Sequence, residues 1–136
     1  SPHRSCYGKN VYTMHNRLKA ILPSIEQQLS SDEIMVFKIG KSDDPAKRFN
    51  QYEEPYHYLD IIAKGDASKI NKAEIDLINW ATTHECLSIK CLNQNNGGGG
   101  NPDATMLYIV SRRAKAEAGE HLLPPTSIIN EEIINL

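Results

Sequence analysis

The sequence predicts a small α+β domain, and three observations carry that expectation. The chain has 136 residues, enough for one compact domain with a modest core. Its β-prone runs and its helical periods are interleaved, which places strands and helices in one unit. The connections between the first three strands are too mixed for a regular parallel βαβ array. No internal repeat is visible.

Asn10–Met14 (Asn-Val-Tyr-Thr-Met) has β propensity and fits a first strand with Tyr12 at its middle. Arg17–Leu29 places Leu18, Ile21, Leu22, Ile25 and Leu29 at a helical period, with Pro23 expected to kink or split the helix. Ile34–Ile39 is a second strand, closed by Gly40. Pro45–Tyr52 is a short helix with Asp43 or Asp44 as N-cap and Pro45 near its first position. Tyr58–Ala63 is a third strand, ended by Gly65. Ala67–Thr82 is the best helix in the chain, opened by Asp66 or Ser68. Its stripe runs Ile70, Ala73, Leu77, Ile78 and Ala81, with Trp80 at the margin and Lys72 and Asp76 on the polar side. Asn93–Asn101 holds four consecutive glycines and packs no regular element, which suits a mobile loop. Met106–Val110 is a late strand or extended segment, followed by Arg112, Arg113 and Lys115. A short helix is expected from Ala114, broken by Pro124-Pro125, and Ile128–Leu136 reads as an amphipathic appendage.

Apolar residues make up 40% and charged residues 24%, ordinary values for a globular protein. No run approaches the length of a membrane-spanning helix, and the first residues lack the apolar stretch of a signal peptide. Cys6, Cys86 and Cys91 are too few and too scattered for a disulfide scaffold, so an intracellular setting, cytoplasmic or nuclear, is expected. Net charge is −2, yet residues 1–52 carry eight Lys/Arg against five Asp/Glu while the rest carry seven against twelve. A local basic patch on an acidic body is compatible with that split.

The chemistry gathers around Lys38–Arg48. Lys38 lies at a strand end, and Arg48 falls on the first turns of the helix after it, so two cations point at one place. That arrangement suits a phosphate better than an apolar core. Tyr52 lies four residues after Arg48 and shares its helical face. Glu74 falls within the apolar stripe, four residues from both Ile70 and Ile78, where a carboxylate is costly unless it is paired or binds a metal. Lys41, Lys47, Arg17 and His57 are candidate nucleic-acid contacts around this group. His84-Glu85-Cys86 with Cys91 has zinc-type residues but no CxxC pair, so buried thiols are the commoner explanation. The glycine run lacks the Gly-Lys-Ser/Thr of a phosphate loop.

Tyr12, Lys38-Ile39-Gly40, Arg48, Tyr52 and Glu74, in that order, resemble the GIY-YIG nuclease domain over about residues 10–110. Asn10-Val11-Tyr12 stands where that family has Gly-Ile-Tyr, and Lys38-Ile39-Gly40 where it has Tyr-Ile-Gly. The lysine form is similar to a subset that includes some restriction enzymes and phage or viral homologues. The family's late asparagine corresponds to Asn93, Asn95 or Asn96.

The resemblance implies a small, mainly antiparallel three-stranded sheet flanked by helices, with a helical insertion (about 15–33) between the first two strands. A nuclease domain over 1–113 and an appendage over 114–136 follow. It also implies DNA phosphodiester hydrolysis with one Mg²⁺ or Mn²⁺ on Glu74. Tyr12 would be the general base, tuned by Lys38; Arg48 would stabilise phosphate charge and Tyr52 would orient the nucleophile or phosphate. Two other readings are a module of the same fold that holds nucleic acid without cutting it, and a protein-interaction domain in which Lys38 and Arg48 pair with acidic neighbours.

Overall fold

A computed structural model describes residues 12–53, 55–93, 101–114, 126–129 and 132–136. Its elements run α1 (Asn16–Leu29), β1 (Ile34–Ser42), α2 (Pro45–Gln51), β2 (Tyr58–Lys64), α3 (Ala67–Thr83), β3 (Met106–Arg113) and β4 (Ile134–Asn135). The α+β class holds. The sheet is not the expected three-stranded one: it has four strands in the order β1-β3-β2-β4, with β3 antiparallel to both neighbours and β4 parallel to β2.

The inner position belongs to β3 for a reason visible in its side chains. An inner strand with helices on both sides needs apolar groups on both faces. Leu107 and Ile109 enter the larger core with α1 and α3, while Tyr108 and Val110 enter a smaller one with Phe49, Tyr56 and Leu59. The first strand expected over Asn10–Met14 does not form in its described part. Tyr12–Met14 is a turn and bend, Tyr12 is 96% exposed, and Met14 drops into the core as the lead-in to α1. Residues 10 and 11 lie outside the described residues. Among the described residues, helix α1 precedes the first strand.

Local rules set the helix ends. The side chain of Asp44 accepts from the backbone N–H of Lys47 at 3.1 Å, and Asp66 accepts from that of Lys69 at 2.9 Å. His15 Nδ1 accepts from the N–H of Arg17 at 3.1 Å and opens α1. Helix α1 runs unbroken through Pro23, so the proline does not split it. Pro23 sits on the exposed side of the helix, while Leu18, Leu22, Ile25 and Leu29 hold the buried face. Asp76, expected on the polar side of α3, is buried and paired with Lys72. Trp80 is buried too, edge-on to the fully buried His84, whose Nε2 lies 3.2 Å from Glu26 Oε1 and ties α3 to α1.

The far margin of the sheet is bound by one carboxylate. Asp60 Oδ1 accepts from Ser127 Oγ at 2.5 Å, from the N–H of Ile128 at 2.9 Å and from that of Ile129 at 2.8 Å. Together with the N–H of Leu59 on the Thr126 carbonyl and β4 beyond, this ties the C-terminal stretch into the sheet. The short helix expected from Ala114 and the Pro124-Pro125 break lie outside the described residues, as do Cys6, Lys115, Asn95, Asn96 and the four glycines.

Burial pushes the Asp60 carboxyl up, against the three hydrogen bonds that favour its charge. A raised folded pKa means that the folded state holds this proton more tightly than the unfolded chain. The Asp60 contribution to stability is thus full below the ordinary carboxylate range and is lost as pH rises through the raised value. Asp60→Asn keeps an oxygen acceptor and removes the charge. Urea unfolding across the acidic range should show a midpoint that falls with rising pH in the wild type and a flatter dependence in Asp60→Asn; parallel profiles would contradict this.

Candidate active site

Strand β1 alternates its side chains between two faces. Phe37 and Ile39 join the α1–α3 core, and Lys41 follows them toward α3. Gly40 lies directly across from Tyr108 of β3, on the α2 side. A Cβ on residue 40 would stand 2.5 Å from Tyr108 Oη and 2.6 Å from its Cζ. Glycine at the end of the Lys38-Ile39-Gly40 run is therefore the space into which the Tyr108 phenol fits.

The phenol is hydrogen-bonded there: Tyr108 Oη and Tyr52 Oη are 2.6 Å apart. Helix α2 ends at Gln51, and Tyr52, in extended conformation at its C-cap, turns back over the sheet. The Arg48 guanidinium lies 5.2 Å and the Lys38 ammonium 5.5 Å from the centre of the Tyr52 ring. Tyr56 meets the same ring edge-on at 5.1 Å and closes the group against the smaller core. Burial is the largest single influence on Arg48 and opposes its charge, but the hydrogen bonds and charge interactions with Tyr52 and Tyr108 together outweigh it and hold the guanidinium above its ordinary value. Tyr108 is 2% exposed; burial first, then Tyr52, push its phenol well above the ordinary range, with Arg48 acting the other way.

Lys38, Arg48 and Tyr52 thus converge as expected. Tyr52 links them to Tyr108, while Tyr12 stands exposed on its turn. The carbonyl of Thr13 accepts from Lys72 of α3, so the turn that carries Tyr12 packs on the helix that carries Glu74. The Leu107–Val110 run of consecutive apolar residues was the available sign that Tyr108 belongs to a central strand.

Glu74 is 6% exposed and lies 4.0 Å from the Lys41 ammonium, whose side chain is 2% exposed and donates to Asn71 Oδ1 at 2.5 Å. Consecutive residues of β1 thereby serve the two parts of the site: Gly40 seats the phenols on one face, and Lys41 meets Glu74 on the other. Among the described residues no three His, Cys, Asp or Glu side chains converge as a metal cluster. The donor chemistry of Glu74 fits a hard divalent cation only as a lone protein ligand, with water and phosphate oxygens completing the shell and Lys41 sharing the carboxylate.

The remaining candidates separate by exposure. Lys47 is exposed on α2 beside Arg48. Lys41 is buried, which removes it from the surface contacts. Arg17 is exposed and donates to the carbonyl of Asn135 at 2.9 Å, near β4. His57 is 1% exposed, with Nδ1 accepting from the N–H of Arg113 at 3.2 Å, so it supports the sheet and offers no nucleic-acid surface. Asn93 pairs with both backbone groups of Ile39 at 2.8 Å and acts as a short stand-in strand on the edge of β1. No protein-family model, curated protein or solved structure matches this chain.

Two substitutions test the geometry. Gly40→Ala forces a methyl group into the Tyr108 ring and should cost about 1–3 kcal/mol; an unchanged thermal midpoint would refute the close approach. Lys41→Met removes the buried cation beside Glu74 and should cost on the order of 3 kcal/mol in urea unfolding, an effect that Lys41→Arg should partly restore.

Proposed function

We propose that this chain is a metal-dependent endonuclease of GIY-YIG type that hydrolyses DNA phosphodiester bonds. The observation that carries this reading is the Tyr108 phenol lodged against Gly40 and hydrogen-bonded to Tyr52 beside Arg48. The resemblance requires a tyrosine next to the Lys38–Gly40 strand, and the pairing of Gly40 with Tyr108 supplies one from the other end of the chain. The role given to Tyr12 passes to the Tyr52–Tyr108 pair.

Among the described residues neither Lys38 nor Arg48 makes an ion pair, so both charges are available to an anion. Arg48 presents a planar fork of donors to the scissile phosphate, and Lys38 adds a point charge to the same surface. Charge that develops on the phosphate oxygens meets donors already in place, which lowers the barrier without reorganisation. Glu74, on the other face of β1 beside Lys41, would be the carboxylate to hold Mg²⁺ or Mn²⁺, whose chemistry would be charge stabilisation at a leaving oxygen.

One observation favours a second reading, a nucleic-acid-binding module without cleavage: Glu74 already has the buried Lys41 as a partner. Nicking of supercoiled plasmid with Mg²⁺ separates the two. The nuclease reading expects Arg48→Ala and Glu74→Ala each to lose at least about 100-fold in rate. Equal residual nicking by wild type and both variants sinks it. The binding module then stands if oligonucleotide affinity still falls with salt and Arg48→Ala flattens that slope.

A further inference from the structure

We propose that Lys41 competes with a divalent cation for Glu74, and that Asn71 is the positioning residue that holds the Lys41 ammonium off the carboxylate. The proposal rests on the reading of Glu74 as the metal ligand, while the contacts that carry it stand on geometry. The ammonium is not shared evenly. Its nitrogen is 2.5 Å from Asn71 Oδ1, a close hydrogen bond, and 4.0 Å from Glu74 Oε1, the outer limit of an ion pair. Asn71 and Glu74 stand three residues apart on α3 and so lie side by side on one face. Lys41 reaches them from β1, and these two are its partners among the described residues. Lys72, the next cation on α3, is engaged elsewhere by Asp76 and the carbonyl of Thr13.

Both charges are almost out of water, with 2% of the Lys41 side chain and 8% of the Glu74 side chain exposed. Screening is weak in such a place, so a divalent cation on Glu74 and an ammonium 4.0 Å from it repel each other. One of the two must give way. Asn71 supplies the exit: it is half-buried, one turn nearer the start of α3, and its oxygen already carries the ammonium. The flexible lysine stem allows that withdrawal. Without the Asn71 oxygen, the ammonium closes on Glu74 and shuts out the cation. The site is thus restrained by its own lysine, and Asn71 sets how easily a cation relieves the restraint.

The test uses Mn²⁺ alone, added to the isotope-labelled full chain, with affinity read from paramagnetic broadening of the α3 amides around Glu74. Lys41→Met should bind Mn²⁺ at least roughly tenfold more tightly than the wild type. Asn71→Ala should bind it roughly three- to tenfold more weakly, the size of one hydrogen bond. Lys41→Met also lowers stability, which provides a second readout. Added Mn²⁺ should restore much of its lost urea midpoint by giving Glu74 a counter-charge, and should move the wild type little. Unchanged affinity in Lys41→Met, with binding still abolished by Glu74→Gln, overturns the competition while the metal reading stands. Tighter binding in Lys41→Met with none lost in Asn71→Ala overturns the role of Asn71. Broadening that survives Glu74→Gln, or is absent from every variant, removes the metal from Glu74 and sinks the metal-dependent reading together with the proposal.

Discussion

The contact between Gly40 and the Tyr108 phenol is the constraint on which the rest of this structure depends. It requires glycine at one position of β1 and an aromatic group directly across from it on β3. It also requires β3 to pair directly with β1, a place it takes ahead of β2 although β2 comes first in the chain. Once the phenol is seated, its hydroxyl is the fixed point for Tyr52, and Tyr52 in turn is the surface over which Arg48 and Lys38 meet. Packing, hydrogen bonding and charge therefore build the same site in sequence, each on the one before.

The second constraint is the handing of adjacent residues to opposite faces. Gly40 and Lys41 are neighbours in the chain, yet one admits a phenol and the other neutralises a carboxylate within the α3 core. A buried Lys–Glu pair gives little net stability because desolvating both ions offsets most of their attraction. Its presence at the strand end is thus better explained by what it positions than by what it stabilises. Asp43 extends the same logic one turn further: its carboxylate receives the N–H of Thr105 at 3.2 Å and Asn101 Nδ2 at 3.3 Å. The approach to β3 is thereby fastened to the turn between β1 and α2.

Local features of this site were legible in the sequence. The Asp44 cap and the spacing of Arg48 and Tyr52 follow from rules that reach only a few residues, and they bring Arg48 and Tyr52 together; the strand expected to stop at Gly40 runs on to Ser42, because pairing with β3 continues past the glycine. Glu74 was legible as a carboxylate on an apolar stripe, which it is. Tyr108 was not, because its partner is distant in sequence and strand pairing order is set by the whole core. Tyr12 drew the assignment by β propensity and by its place ahead of Lys38, and propensity yields to context. His57 and Lys41 looked like surface contacts because burial of polar residues leaves no mark on a short stretch of sequence. Each is buried with a partner at one polar atom: His57 Nδ1 takes the N–H of Arg113, and Lys41 Nζ donates to Asn71.

The central claim is that the Gly40–Tyr108–Tyr52–Arg48 group meets a phosphodiester. Its most direct test is an NMR titration of the labelled protein with a short DNA strand carrying non-hydrolysable phosphorothioate linkages. The account predicts saturable shifts at the Gly40 amide, the Arg48 Nε–H and the Tyr52 ring, abolished by Arg48→Ala while the fold persists. Shifts confined to α1 and the β4 margin, with those three signals still, would contradict it.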